Sequence, residues 1–379
     1  MGRLYRWIRP LLFALPPELA HEGVKGLAWI TLPLVRPAIA AACRYEHPML
    51  WQQLWGMDIP NPVGLAAGLD KNARLLRLWS ALGFGFVEIG SVTARPSRGN
   101  RRPRLFRLEQ DGALINRLGL PNQGAARVAR RLRHRADAPA LGISIAKTHD
   151  TGIMGPDAVE DYRCSFSRLA ELGSYIALNI SCPNTADGKT FEEAGHLNEL
   201  LEVLMSEKAS LGSDIPVLIK LSPPDSPKVV YDSLLEDVLA VAMRHRIDGF
   251  VVCNTAPDRS GLETNAAEFG VGGMSGRPLH RRAVRMVQYI AQQTAGRVPI
   301  IGVGGIASAE DAYRMICAGA SLLQLYTGLI YEGPGLVRRV KEGLVGLLQA
   351  DGWASVADAV GSRSGDFSTR WPVQVQETA

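Results

Sequence analysis

What most constrains this chain is an alternation that begins near residue 60. Short apolar runs at 63–67, 86–92, 141–146, 175–180, 216–221, 249–254, 299–304 and 322–326 are separated by longer segments. Those segments, near 72–82, 156–172, 196–210, 228–245, 281–294, 308–317 and 335–349, place apolar residues at helical spacing. Strands that are apolar without a break are buried on both faces, as in a parallel sheet covered by helices. Eight such units predict an α/β fold, a closed (β/α)8 TIM barrel, over its rival, a doubly wound open sheet. Two insertions, about 93–140 and 255–280, lengthen the loops.

Residues 1–45 read as a small helical module outside the barrel. Leu4, Trp7, Ile8, Leu11, Leu12 and Leu15 share one helical face. Pro10 interrupts that helix, Pro16-Pro17 ends it, and a second helix over about 18–32 stops at Pro33. Six Lys or Arg against two Glu give this segment +4, against +5 for the whole chain. Basic helices with an apolar face, carrying Trp7 and Trp29, suit a membrane surface; packing on the main domain is the alternative. No uninterrupted apolar run reaches about 18 residues, so no transmembrane helix is expected. Arg and Pro also break the stretch that a secretory signal needs. The domain plan is therefore a helical module at 1–45, a barrel at 46–350 and a polar tail at 351–379. Cys43, Cys164, Cys182, Cys253 and Cys317 show no ligand-like spacing, so neither a metal site nor a disulfide framework is expected, and a reducing compartment is the default. Residues 91–135 hold twelve Arg and two acids. Such a run serves nucleic acid, anionic lipid or only a solvated face.

In a barrel the chemistry gathers at the carboxyl ends of the strands. Here those ends carry Ala66 to Lys71, Gly90-Ser91, Ser144 to Lys147, Asn179 to Asn184, Lys220, Cys253-Asn254-Thr255, Gly302 to Gly305 and Tyr326-Thr327. Asn179-Ile-Ser-Cys182-Pro-Asn184-Thr sets a thiol between two carboxamides. A thiol of lowered pKa is a base or nucleophile. With Asn116 and Asn254, these carboxamides could read a small cyclic imide by neutral hydrogen bonds. A turn beside a buried Cys is the plain alternative. Gly304-Gly305 lets backbone amides approach an anion at a helix start near Ser308, which suits a phosphorylated cofactor. No GxGxxG opens a Rossmann unit, so a nicotinamide site is not indicated. Lys71 and Lys220 are each the only cation at their strand end, and a Lys beside a flavin pyrimidine edge offsets charge on the reduced ring.

AAGLDK at 66–71, PRLFR at 103–107, NRLG at 116–119, NISCPNT at 179–185, CNT at 253–255, SGRPL at 275–279 and IIGVGGI at 300–306 together resemble the dihydroorotate dehydrogenase family. The likeness spans about residues 15–345 and implies an FMN-binding barrel of pyrimidine synthesis. Pro17-Glu18-Leu-Ala-His21-Glu22 resembles the membrane-associated, quinone-reducing class 2 branch. By this resemblance Ala67, Ser91, Ser144, Asn179, Lys220, Cys253, Gly276, Gly305, Tyr326 and Thr327 surround the flavin. Lys71, Asn116, Arg117, Leu118, Gly119, Leu120, Asn179, Asn184, Asn254 and Thr255 hold dihydroorotate or orotate, with Cys182 as catalytic base and Lys71 fixing the substrate. His21, Arg107 and Tyr326 line a quinone route. Four positions depart from the class 2 pattern: Cys182 replaces Ser, Leu120 replaces Phe, Ser144 replaces Asn and Cys253 replaces Thr. Cys182 and Gly119-Leu-Pro-Asn122 are similar to the soluble class 1 branch.

The resemblance thus implies oxidation of dihydroorotate with FMN and a membrane quinone, with no nucleic acid partner. The short N-terminus fits peripheral attachment at the cytoplasmic face of a bacterial inner membrane better than a mitochondrial import sequence, with the mitochondrial inner membrane as the alternative. Three alternatives stand beside it. One is the same oxidation with a soluble acceptor such as fumarate. Another is a tRNA dihydrouridine synthase-like reductase that uses the 95–135 arginines as an RNA footprint. The third is a flavin-binding membrane protein without turnover.

Overall fold

The structure is a computed structural model that describes residues 2–134, 139–181, 190–226 and 229–364. Its centre is a closed barrel of eight parallel strands. These are β1 (Val63–Leu65), β2 (Phe86–Val92), β3 (Ala140–Ile145), β4 (Tyr175–Asn179), β5 (Val217–Leu221), β6 (Gly249–Val252), β7 (Ile300–Val303) and β8 (Leu322–Leu325). Each pairs with its successor, and β8 returns to β1, where Leu325 lies opposite Leu65. All eight fall within two residues of the runs read from the sequence, because both faces of every strand are covered. All seven residues of β2, for example, are buried. Phe86, Tyr175, Ala177, Leu218, Val251, Ile301 and Leu322 fill the barrel interior. Val87, Ile89, Ile143, Ile176, Leu178, Ile219 and Phe250 point outward into the helical layer.

A hairpin, Gln52–Leu54 with Met57–Ile59, closes the amino-terminal end. Ile59 and Trp55 pack on the interior cluster, and the Trp55 indole N–H donates to the Asp248 carbonyl at 2.8 Å. With that end plugged, the carboxyl ends of the strands are the open side. The insertions are more than loops. Leu105–Leu108, Ala113–Asn116 and Gly273–Gly276 form a three-stranded antiparallel sheet that ties one insertion to the other. The helix Ala125–Leu132 follows in the first insertion.

The N-terminal helices depart from expectation. α1 (Gly2–Ala14) passes through Pro10, and α2 (Pro17–Cys43) passes through both Pro33 and Pro37. Each interior proline removes one helical hydrogen bond. Here the carbonyls left without donors, on Trp29 and Pro33, belong to exposed residues and can turn to water. The stop expected at Pro33 is therefore corrected. Although no uninterrupted apolar run in it reaches 18 residues, α2 has 27 residues and a mean hydropathy of 1.5 over its best window, long and apolar enough by length and composition alone to cross a membrane. Leu32 and Cys43 are the buried residues of α2, and it packs along the helix Leu76–Ala81. At the other end of the described chain, Val356 and Ala359 are buried, and the Gly361 and Arg363 amides donate to the Ile316 and Cys317 carbonyls.

Candidate active site

A cavity of about 1000 Å³, its open mouth included, lies at the carboxyl ends of the strands. The loop after β1 forms one side. Asp70 is 1% exposed and anchors that loop by accepting from the Arg74 and Leu75 amides, each at 2.8 Å, and from the Trp79 indole at 3.2 Å. This holds Lys71 at the rim, where its ammonium donates to the Gly68 carbonyl at 2.7 Å. Burial, with Lys25 and Arg104 nearby, lowers the Lys71 pKa to about 8.

Asn179 ends β4 and connects the polar wall. Its side-chain amide donates to Ser91 Oγ at 2.9 Å, and its Oδ1 accepts from Asn254 at 3.2 Å. Ser91 Oγ in turn lies 2.8 Å from Ser144 Oγ. Asn254 also donates to the Ser181 carbonyl and accepts from the Thr255 amide at 2.8 Å. Asn116 donates to the Gly273 carbonyl at 3.2 Å across the small sheet. In the β4–β5 register Lys220 stands opposite Asn179. Lys220 is 8% exposed, and among the described residues no carboxylate pairs with it. Burial pushes the Cys253 thiol up to about 12, against the opposing pull of Arg282 and Lys220, so it stays a thiol at neutral pH. From below, Gln324 donates to Glu88 at 2.8 Å, and the Tyr175 hydroxyl donates to the same carboxylate at 2.9 Å.

The opposite side is built of glycine. Gly305 has φ +65°, and a Cβ there would lie 2.6 Å from the Gly276 carbonyl. Gly276 has φ +106°, and a Cβ on it would meet the Gly112 carbonyl at 2.4 Å. Only glycine allows the backbone to come this close. The His280 ring lies against this turn. Its Nδ1 is 2.9 Å from the Gly304 carbonyl, an acceptor only, so that nitrogen carries the hydrogen. Nε2 faces Asp311 Oδ1 at 3.4 Å. Burial lowers the His280 pKa. Ser308 caps the following helix, Ala309–Ala318, by accepting from the Asp311 amide.

Most of the expected residues converge on the cavity. Ala67, Ser91, Asn179, Lys220, Cys253, Gly276, Gly305, Tyr326 and Thr327 line it, as do Lys71, Asn116, Leu118, Gly119, Leu120, Asn254 and Thr255. Ser144 is buried behind Ser91. Arg117 turns away: it donates to the Pro103 and Phe269 carbonyls and stacks 4.8 Å over Phe106. Cys182 and Asn184 lie outside the described residues. Gly304, read from the sequence as part of the anion turn, lines the cavity too, whereas sequence reasoning missed Ser275, Leu279, Val303, Ile306 and Gly328, although most stand inside motifs it had singled out. Gln324 carried no signal, being a lone polar residue in an apolar strand.

His21 and Arg107 do not line the cavity, but both stand where the N-terminal helices meet the barrel. Arg107 donates to the Leu12 and Leu15 carbonyls at the end of α1 and lies 4.6 Å over the Phe13 ring. Burial, with the positive charges of Lys25 and Lys71, pushes the His21 pKa down to about 4. Four arginines of the 95–135 run are tied internally. Arg104 pairs with Glu18, Arg107 and Arg117 bind backbone carbonyls, and Arg131 holds the Asn72 carbonyl and Gln123. They are thus unavailable as an RNA footprint.

A sequence model of the dihydroorotate dehydrogenase family matches residues 49–348. The chain belongs to the dihydroorotate dehydrogenase family. A dihydroorotate dehydrogenase (quinone) of Roseiflexus sp. (strain RS-1) is 43% identical over 364 residues, covering 95% of this chain and 99% of that protein. The dihydroorotate dehydrogenase (quinone) of Haloarcula marismortui is 42% identical, with coverage of 95% and 99%. Among solved structures, the Eimeria tenella enzyme in complex with ferulenol superposes with a TM-score of 0.80 at 32% identity, covering 93% of this chain and 98% of that one. These quinone-dependent relatives place the chain in the class 2 branch of the family, Leu120 notwithstanding. Dihydroorotate dehydrogenases generally use FMN.

Proposed function

We propose that this chain oxidises dihydroorotate to orotate and passes the electrons to a membrane quinone, using flavin mononucleotide held in the barrel mouth. One observation carries the reading. A single cavity sets the Lys71 ammonium and the carboxamides of Asn116, Asn179 and Asn254 on one side, and a glycine turn that admits an anion on the other. The residues fit a flavin. Gly276, Gly304 and Gly305 leave room for a phosphate against backbone amides, and the buried Lys220 ammonium lacks a carboxylate among the described residues. When bound, the flavin supplies a two-electron acceptor for the hydride that leaves C6 of the substrate.

The rest of the chemistry belongs to the chain. Lys71 attracts the substrate carboxylate, and the three carboxamides orient the ring by neutral hydrogen bonds. Cys182, three residues beyond Asn179, takes the proton from C5 as a thiolate. A thiol starts near pKa 8.5, so it needs far less activation than a hydroxyl. Residues 1–45 form the quinone-access module, where His21, Arg107 and Tyr326 flank the route to the flavin. Exposed Trp7, Leu11, Leu27, Trp29, Ile30 and Leu34 give α1 and α2 an apolar surface for peripheral attachment to a membrane. The +4 charge of this segment suits the anionic cytoplasmic leaflet of a bacterial inner membrane.

The test is anaerobic mixing of the purified protein with dihydroorotate, followed at the flavin absorbance band, with quinone and then fumarate offered as oxidant. Bleaching by dihydroorotate and recovery with quinone support the reading; protein that is colourless and takes up no flavin sinks it. Cys182→Ala should keep its colour and lose at least about a hundredfold in bleaching rate.

A further inference from the structure

We propose that Glu18, on the first turn of α2, is a positioning residue for the dihydroorotate wall at 118–120 and acts through Arg104. This inference rests on the reading that this wall takes dihydroorotate. Glu18 Oε1 accepts from Arg104 Nε at 2.7 Å, and its Oε2 lies 3.1 Å from Arg102 Nε. The Arg102 side chain is 66% exposed, which makes its share a weakly held surface pair. The Arg104 and Glu18 side chains are 12% and 17% exposed, so their pair is largely withdrawn from water.

From there the contacts lead inward. Arg104 Nη1 donates to the Arg98 carbonyl at 2.8 Å and to the Asn100 carbonyl at 3.1 Å. Asn100 grips the wall twice: its side chain donates to the Arg117 carbonyl at 2.9 Å and its amide to the Leu118 carbonyl at 3.0 Å. The Arg104 carbonyl accepts from the Arg117 amide at 2.8 Å. A Cβ on Gly119 would lie 2.7 Å from the Asn100 nitrogen, so the two segments lie in direct contact. Leu118, Gly119 and Leu120 face the cavity. A carboxylate on the helix pair thus fixes a guanidinium that holds loop 98–100, and that loop holds the wall. The substrate side of the cavity is set in part by α2, so the role of this helix extends beyond the electron acceptor.

The experiment compares the flavin-loaded wild type with Glu18→Gln, which keeps shape and loses charge, and with Arg104→Lys, which keeps charge and loses the planar fork. Orotate affinity is read by calorimetry, KM for dihydroorotate and for quinone by steady-state kinetics, and the limiting rate of flavin reduction by rapid mixing. Both variants should weaken orotate about fivefold or more and raise KM for dihydroorotate. The limiting reduction rate and the quinone KM should stay within about twofold, the pattern of lost positioning rather than lost chemistry. Unchanged orotate affinity in both variants overturns the proposal. So does a parallel rise in both KM values with a collapsed melting point, which marks general loosening. Wild-type protein that binds no orotate refutes the reading of the wall itself, a result distinct from either, and the inference falls with it.

Discussion

Lys71 and Lys220 are the two charged side chains among the described residues that line the cavity, and their positions give them different tasks. Lys220 lies on β5 inside the barrel, opposite Asn179, whereas Lys71 sits at the rim on a loop tied by Asp70. An anionic substrate needs the ammonium form of Lys71, and burial together with Lys25 and Arg104 brings its pKa to about 8. Orotate affinity should therefore hold steady up to about pH 8 and then fall by up to about tenfold per pH unit as the proton is lost. Lys71→Met should bind more weakly and lack this limb. Calorimetric titrations of both proteins from pH 6.5 to 9.5 check it, since any slope that survives in Lys71→Met belongs to the ligand. A pH-independent wild type excludes Lys71 as the carboxylate partner. Single residues at this site were legible where chemistry and strand end coincided, as at Asn179, Lys220 and Gly305. Arg117 misled because a motif marks a position and says nothing of side-chain direction: its guanidinium serves Phe269 and Phe106 instead.

Among the elements, α2 departs most from what its sequence suggests. Pro33 reads as a stop, yet the helix continues through it and through Pro37, because the carbonyls left unpaired belong to exposed residues that water can reach. The result is a long exposed apolar surface in which Leu27 is 64% and Trp29 67% exposed. Leu27→Glu and Trp29→Glu should each cut binding to anionic phospholipid vesicles by about tenfold or more in a sedimentation assay. Their melting points should stay near wild type, because exposed substitutions change stability by about 0.5 kcal/mol or less. Equal vesicle binding by all three proteins would remove α2 from the membrane contact. The small sheet over the mouth was illegible for a different reason. Its strands have four residues each, one is largely half-buried, and its third strand arrives from about 160 residues downstream. No local pattern encodes a pairing that distant.

At the scale of the whole molecule, barrel closure was readable because every strand is covered on both faces, so eight apolar runs imply eight strands with no exposed edge. Burial of bases was not readable, since it depends on which carbonyl each ammonium or imidazole finds in the folded chain. Lys341 is 2% exposed, donates to the Gly83 carbonyl at 3.0 Å and has its pKa lowered to about 8 by burial. Lys71 is lowered to the same value, and His21 to about 4. The unfolded chain binds protons more readily at all three, and stability rises with pH wherever the unfolded state holds more protons. Two windows follow. Stability should climb from about pH 4 to 6.5 as the unfolded chain gives up the proton favoured on His21. It should climb again above about pH 8, until tyrosines whose burial raises their pKa, such as Tyr326 at about 12, reverse the trend near pH 10. One pKa unit corresponds to about 1.4 kcal/mol, so the Lys341 share of the second climb amounts to a few kcal/mol at most. Melting curves between pH 4 and 10 for the wild type, His21→Asn and Lys341→Met test this. The first variant should flatten the acid limb, and the second should lower the alkaline one by the Lys341 share while the Lys71 share remains. If both limbs persist unchanged in the variants, these buried bases do not set the pH dependence of folding.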